Sequence, residues 1–135
     1  MNLAQKLGAT EEGKHLEIEF FVPDKDRQGE VVADWQDWCD RHRDLATRIG
    51  DGSTASPTAF EGTYLTRSGE TIFENTYRVY THFHPAKLYE HYSDLEGLLY
   101  GFLEMANQEC VVFRLYDGSI NGLFTIYRDV LGPGH

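Results

Sequence analysis

Apolar and polar residues alternate in the first clear element of the chain. Residues 16–22, LEIEFFV, carry an apolar side chain at every second position, with Glu17 and Glu19 between them. This period of two is typical of a β-strand that buries one of its faces. Pro23 and a run of turn-forming residues follow, so we expect the strand to end there.

Two other segments repeat their apolar residues at helical spacing. The first, residues 31–49, carries an apolar stripe that includes Trp35 and Trp38 and meets a glycine-rich stop at residues 50–52. The second, residues 86–107, follows a proline, which suits the first turn of a helix. Both stripes predict amphipathic helices that pack one side on a core.

The remaining patterns again favour strands. Residues 60–66 and 71–83 flank the turn RSGE at residues 67–70, which predicts a β-hairpin. Residues 110–116, CVVFRLY, form a strongly apolar strand, and we expect a further short strand around residues 123–127.

The order of the main elements is strand, helix, strand, strand, helix, strand. We therefore predict an α+β fold of the ferredoxin-like kind: a βαββαβ antiparallel sheet with two helices on one face. The right-handed crossover rule favours this arrangement for two βα units joined by a hairpin. The polar residues 1–14 predict a flexible N-terminal arm, and residues 15–135 a single domain.

Composition excludes several classes of protein. The chain of 135 residues is long enough for one domain with a core, and 41% apolar with 13% aromatic residues is too much for a disordered chain. The chain contains 22 Asp and Glu but only 12 Lys and Arg, which gives it a net charge of -10. This acidity argues against nucleic acid and against anionic lipid as partners.

The cysteines and the hydropathy profile suggest a reduced compartment. Cys39 and Cys110 lie far apart, with no paired Cys and His spacing of the kind that structural zinc sites use. No apolar run approaches the roughly 20 residues of a membrane span. We expect a cytoplasmic protein with no membrane partner.

The strand alternation also divides the sheet residues between two faces. The face predicted to pack on the helices contains Leu16, Ile18, Phe20, Tyr77, Val79, Phe83, Val111, Phe113 and Leu115. The opposite face, called the open face below, contains Glu17, Glu19, Phe21, Arg78, Tyr80, His82, His84, Cys110, Arg114 and Tyr116. A face covered only by water would be more uniformly polar, so this mixture predicts a binding surface.

Three interpretations of the open face are compatible with the sequence. It can be the interface of a homodimer, or a pocket for a small-molecule ligand or a protein partner. For both uses the candidate residues are Glu17, Glu19, Arg78, Tyr80, His82, Arg114 and Tyr116. The third possibility is that these glutamates and arginines form ordinary cross-strand charge pairs.

The histidines supply the sharpest candidate chemistry. His82 and His84 are two apart on a strand, so both imidazoles can face one ion, with His91 as a third ligand of a divalent transition metal. Alternatively, His82 and Tyr80 are candidate catalytic residues, since an imidazole titrates near working pH. The first expectation is nevertheless a binding module with no cofactor rather than an enzyme. A further alternative is an acidic inhibitor that covers a partner's basic surface.

One part of the sequence resembles a known family. The residues that carry the resemblance are Gly62-Thr63-Tyr64, Ser68-Gly69-Glu70, Ile72, Glu74, Val79-Tyr80 and the pair Asp34-Trp35. Over residues 15–117 they resemble a small bacterial family known only as a domain of unknown function. The resemblance implies the ferredoxin-like fold and no particular activity.

Overall fold

A computed structural model describes residues 2–10, 16–56 and 59–134 of the chain. Its α-helices are α1 (Leu3–Lys6), α2 (Trp35–Gly50), α3 (Pro85–Glu90) and α4 (Tyr92–Met105). Its strands are β1 (Leu16–Pro23), β2 (Thr54–Ala55), β3 (Phe60–Leu65), β4 (Thr71–Phe83), β5 (Cys110–Tyr116) and β6 (Asn121–Tyr127). A 3-10 helix, Arg128–Leu131, follows β6.

All pairings in the sheet are antiparallel, but the sheet differs from the predicted one. Its strand order is β2-β4-β1-β5-β6, and β3 also pairs with β4. The predicted ferredoxin-like βαββαβ arrangement with two helices is therefore wrong, because the sheet has six described strands and four α-helices accompany it. The tail is one reason: β6 pairs with β5 along its whole length, from Cys110 opposite Tyr127 to Tyr116 opposite Asn121.

The second predicted helix is also divided. His91 ends α3 and precedes α4, with a φ of -107° that interrupts the helical backbone. The predicted boundary between the N-terminal arm and the domain falls at residues 11–15, which lie outside the described residues. Ahead of that gap, α1 forms a single capped turn. None of the described helices is long and apolar enough to cross a membrane.

The core lies between one face of the sheet and the helices α2 and α4. The prediction of the helix-packed face is confirmed: all nine of its residues are buried or pack against the buried cluster. Trp38 of α2 meets Phe102 of α4 edge to face, with ring centroids 5.3 Å apart. This packing holds both helices on one side and leaves the other side of the sheet uncovered by them.

The long strand β4 creates the feature that positions the site. Its residues 76–83 pair with β1, whereas residues 71–76 pair with β3. The β3–β4 hairpin therefore continues past Pro23, where β1 ends. It reaches the beginning of β5, where the Cys110 thiol lies 3.5 Å from the Tyr64 hydroxyl oxygen. The hairpin thus walls one end of the open face.

Candidate functional site

The open-face residues predicted from the sequence form a network of ion pairs. Glu19 lies under two guanidinium groups, with Arg78 Nη2 at 2.9 Å and Arg114 Nε at 3.3 Å from its oxygens. Arg114 also pairs with Glu17. The cross-strand register of β4, β1 and β5 brings these side chains together, as the charge-pair alternative predicts.

The aromatic members of the predicted site lie beside this network. The rings of Tyr80 and His82 meet edge to face at 5.8 Å, and His82 Nε2 lies 3.5 Å from Glu17. Tyr116 lies opposite Glu17 on β5 and is exposed. The seven predicted residues are thus neighbours on one surface. A role for them in a homodimer or in ligand binding stays a prediction.

The three candidate metal ligands have separate partners. His84 caps α3, and its Nδ1 accepts a hydrogen bond from the Ala86 backbone N–H at 3.2 Å. His91 Nδ1 lies 3.6 Å from Asp94, while His82 faces Glu17. In the part of the chain that the structure describes, no group of three or more His, Cys, Asp or Glu is arranged to hold a metal ion.

A cavity of about 210 Å³ lies at the other end of the same open face. We call it the sheet cavity. Its open-face lining residues are Phe21, Tyr64, Glu74, Thr76, Cys110 and Val112. They come from β1, β3, β4 and β5, and the strand register places all of them on the side away from the helices. The β3–β4 hairpin forms one wall of this cavity. The loop between β1 and α2 and the loop between α4 and β5 form its rim.

The rim is held in place by hydrogen bonds between two loops. Gln108 Nε2 donates to the Lys25 carbonyl at 3.0 Å, and the Arg27 backbone N–H donates to the Asn107 carbonyl at 3.0 Å. Asn107 adopts a left-handed φ of 51° at this junction. These contacts tie the loop that follows β1 to the loop that precedes β5, so the cavity has a defined mouth.

Glu74 is the chemically unusual group of the sheet cavity. Among the described residues, its half-buried carboxylate has no hydrogen bond and no ion pair. Burial, and after it the negative charge of Asp24, raise its pKa to about 7, and Lys25 partly opposes this rise. Near neutral pH this carboxyl therefore exchanges between charged and neutral forms, which groups at functional sites often do.

Two weakly polar groups, Tyr64 and Cys110, line the sheet cavity together with Glu74. Burial and the neighbouring Cys110 raise the pKa of Tyr64, and burial raises the pKa of the Cys110 thiol. Both groups are therefore neutral at pH 7 and can donate or accept hydrogen bonds without adding charge. The side chain of Glu109, the residue before β5, lies on the rim of the same cavity.

The open face predicted from the sequence includes only part of the lining of the sheet cavity. Phe21 and Cys110 are among the predicted open-face residues, whereas Glu74 and Thr76 are not. Extending the alternation of β4 backwards from Arg78 in steps of two reaches both of them. Tyr64 follows from the register of the hairpin, in which it pairs with Ile72. That these residues surround a cavity could not be read from the alternation.

Comparisons with known proteins identify solved structures of similar fold. No protein-family model and no curated protein matches the chain, so the resemblance to a domain of unknown function stays a prediction. A phage SAM lyase in complex with S-methyl-5'-thioadenosine has 18% sequence identity and a TM-score of 0.65, over 89% of this chain and 95% of that chain. The apo state of a phage SAM lyase has 15% identity and a TM-score of 0.57, over 89% and 94%.

A third solved structure matches less well. A Bacillus cereus protein related to NIF3 has 16% identity and a TM-score of 0.42, over 93% of this chain but 33% of that chain. A likeness at that level bears on neither fold nor function. The chain is thus a small α+β domain whose fold is similar to that of a phage SAM lyase.

Proposed function

We propose that this chain binds S-adenosylmethionine in the sheet cavity and cleaves it to S-methyl-5'-thioadenosine. The observation that carries the proposal is the cavity itself, whose lining combines Tyr64 and apolar residues with the Glu74 carboxylate, which has no ion pair among the described residues. The similarity in fold to a SAM lyase supports the choice of ligand. At 18% identity that similarity cannot support it alone.

The charges of the cavity suit the proposed substrate. S-adenosylmethionine carries a sulfonium cation, and Glu74 and Glu109 supply carboxylates on the wall and the rim. An unpaired carboxylate in a partly apolar site loses much of its hydration, so a cation that enters the site is attracted more strongly than in water. The adenine ring and the thioether carbons in turn need apolar contact area, which Phe21 and Val112 offer.

The cleavage that we propose needs no other reactant. One oxygen of the substrate's own carboxylate attacks the γ-carbon of its methionine part, and a carbon–oxygen bond forms. The γ-carbon–sulfur bond breaks, and its electron pair neutralises the sulfonium. The products are S-methyl-5'-thioadenosine and homoserine lactone, and no proton is transferred.

The role of the protein in this step is to bind, orient and exclude water. The reaction joins a carboxylate and a sulfonium into two uncharged groups, so an environment less polar than water favours the transition state. The raised pKa of Glu74 indicates such an environment in the sheet cavity. The Tyr64 hydroxyl, which accepts a hydrogen bond from Cys110, is placed to orient the bound substrate.

The test is incubation of the purified chain with S-adenosylmethionine and chromatographic measurement of S-methyl-5'-thioadenosine against a protein-free sample. We expect the thioether and homoserine lactone to appear in equal amounts. Substitution Glu74→Gln should lower kcat/KM by about tenfold or more, because it removes the carboxylate that faces the cation.

A matched control variant is available in the same hairpin. Glu70 lies in the exposed turn between β3 and β4 and does not line the sheet cavity. Glu70→Gln removes the same charge from the chain and should leave the rate unchanged. Absence of the thioether product, or equal loss of rate in both variants, would contradict the proposed function.

A further inference from the structure

A second cavity adjoins the sheet cavity at the tip of the β3–β4 hairpin. It measures about 380 Å³ and shares two lining residues, Arg27 and Glu109, with the sheet cavity. Its other walls include Arg67 from the hairpin turn and Arg128 from the 3-10 helix. We call it the arginine cavity. A ligand larger than the sheet cavity can extend into it past Arg27.

The charge of the arginine cavity is opposite to that of the chain. Three of the 12 lysine and arginine residues line this one cavity together with two acidic residues, Glu109 and Asp129, in a chain with a net charge of -10. Clustered guanidinium groups repel one another, so they favour a site that an anion enters. Arginine is also the side chain whose planar fork best matches a carboxylate.

Two of the three arginines are engaged by the protein itself. Arg67 Nη1 lies 3.2 Å from Asp129, and the Arg67 guanidinium lies over the ring of Tyr127. Arg128 Nη1 donates to the carbonyl oxygens of Leu103 and Gln108 at 2.8 and 3.0 Å. These contacts hold the walls of the arginine cavity in place, so Arg67 and Arg128 stabilise its structure and also contribute positive charge to it.

Arg27 differs from these two arginines. In the part of the chain that the structure describes, its guanidinium has no ion pair with an acidic side chain. Burial lowers the pKa of Arg128, and repulsion from the nearby Arg27 lowers it further, while Glu104 opposes this shift. The Nε of Arg128 is buried and has no hydrogen-bond partner among the described residues. An anion bound beside Arg27 would reduce the repulsion between Arg27 and Arg128 and would offer a hydrogen-bond acceptor to Arg128 Nε.

We propose that the arginine cavity is a carboxylate subsite in which Arg27 binds the α-carboxylate of the ligand whose adenosyl half fills the sheet cavity. This inference rests on the proposed function and adds the recognition of the amino-acid half of the substrate. Since Arg27 lines both cavities, the carboxylate stays near the γ-carbon that it attacks, which is bonded to the sulfonium sulfur. A guanidinium that binds one carboxylate oxygen leaves the other oxygen free.

The inference is tested by calorimetric titration with two thioethers that the proposed step cannot cleave. S-adenosylhomocysteine carries the carboxylate, and S-methyl-5'-thioadenosine lacks it. Arg27→Gln should weaken binding of S-adenosylhomocysteine by about tenfold, the loss of one charge-assisted hydrogen bond, and leave the affinity for S-methyl-5'-thioadenosine unchanged. Retained binding of the second probe also shows that the variant is folded.

Arg41→Gln is the matched control, since Arg41 is exposed on α2 and pairs with Asp37 at 2.9 Å away from both cavities. It should change neither affinity. If Arg27→Gln weakens both probes equally, or neither, the carboxylate subsite is wrong while the proposed function stands. If the unaltered chain binds neither probe, the proposed function fails, and the subsite fails with it.

Discussion

At the scale of single residues, Glu74 is the group whose surroundings differ most from those of an ordinary surface carboxylate. The other open-face glutamates, Glu17 and Glu19, are matched by arginines at ion-pair distance. Glu74 has Asp24 as an electrostatic neighbour and is only partly offset by Lys25. Leaving a half-buried carboxylate unmatched costs stability, and a cationic ligand would remove that cost.

This environment predicts a pH-dependent affinity. With a pKa of about 7, the ionised fraction of Glu74 rises from about one-tenth at pH 6 to about nine-tenths at pH 8. A sulfonium binds the ionised form, so the affinity for S-adenosylmethionine should rise up to about tenfold over that range. The uncharged S-methyl-5'-thioadenosine should show no such rise. Titrations at pH 6, 7 and 8 measure both.

Glu74→Gln should remove the pH dependence of S-adenosylmethionine binding, whereas Glu70→Gln should retain it. A rise that persists in Glu74→Gln would assign the titration to another group. A parallel rise for both ligands would show that the charge of the sulfonium is not what the site detects.

At the scale of elements, the junction between α2 and β4 depends on a glycine for a reason of space. The sequence predicts that residues 50–52 stop the first helix, and α2 does end at Gly50. The left-handed residue is Asp51, however, with a φ of 60°. A methyl group on Gly50 would overlap Thr81 Oγ1 and lie 2.7 Å from the His82 carbonyl oxygen. Gly50 therefore allows the end of the helix to approach the strand.

We accordingly expect Gly50→Ala to lower the free energy of unfolding by about 1–3 kcal/mol, the usual cost of overpacking. The matched control is Gly97→Ala in α4, where an added Cβ meets no atom within 4 Å. That change should instead raise the free energy of unfolding by up to about 1 kcal/mol, because alanine favours the helix. Urea denaturation of the three proteins measures both shifts. Equal effects of the same sign would contradict the packing argument.

At the scale of the whole molecule, a buried histidine and a half-buried glutamate couple folding to pH in opposite directions. His42 lies in the core between Phe20 and Phe102, and its Nδ1 donates to the Trp38 carbonyl at 2.6 Å. Burial lowers its pKa from 6.5 to about 4. The unfolded chain then binds the proton more readily, so stability falls as pH falls from about 6.5 to 4. The raised pKa of Glu74 has the opposite effect, so the protein loses stability as pH rises from about 4.5 to 7.

The two pH ranges overlap, so the free energy of unfolding of the unaltered chain should be nearly level from about pH 4.5 to 6.5 and fall on either side of that range. Glu74→Gln removes one of the two titrations. After a discount for its partial exposure, we expect that variant to be more stable than the unaltered chain by about 1–2 kcal/mol at pH 8, with little difference at pH 4.5. As pH falls from about 6.5 to 4.5, Glu74→Gln should lose stability through His42, whereas protonation of Glu74 should offset that loss in the unaltered chain. Denaturation midpoints from pH 4 to 8 measure this, and a constant difference across that range would contradict it.

The sequence by itself determined most of the long strands, the position of α2 and the two faces of the sheet. Strand alternation and helical spacing reflect where a side chain points relative to its own backbone, which is a local property. For that reason the helix-packed residues and the bounds of β5 were predicted correctly. The cross-strand pairing of Glu17 and Glu19 with Arg78 and Arg114 was available from the same alternation.

Only the tertiary structure decided which end of the open face forms a cavity and how many strands the sheet has. The sheet cavity exists because β4 extends beyond the end of β1. The β3–β4 hairpin therefore brings Tyr64 next to Cys110, which lies 46 residues away in the chain. The arginine cavity likewise joins Arg27 to Arg128 across the fold. Such contacts depend on strand lengths and on pairing between distant segments, and no local period of the sequence encodes them.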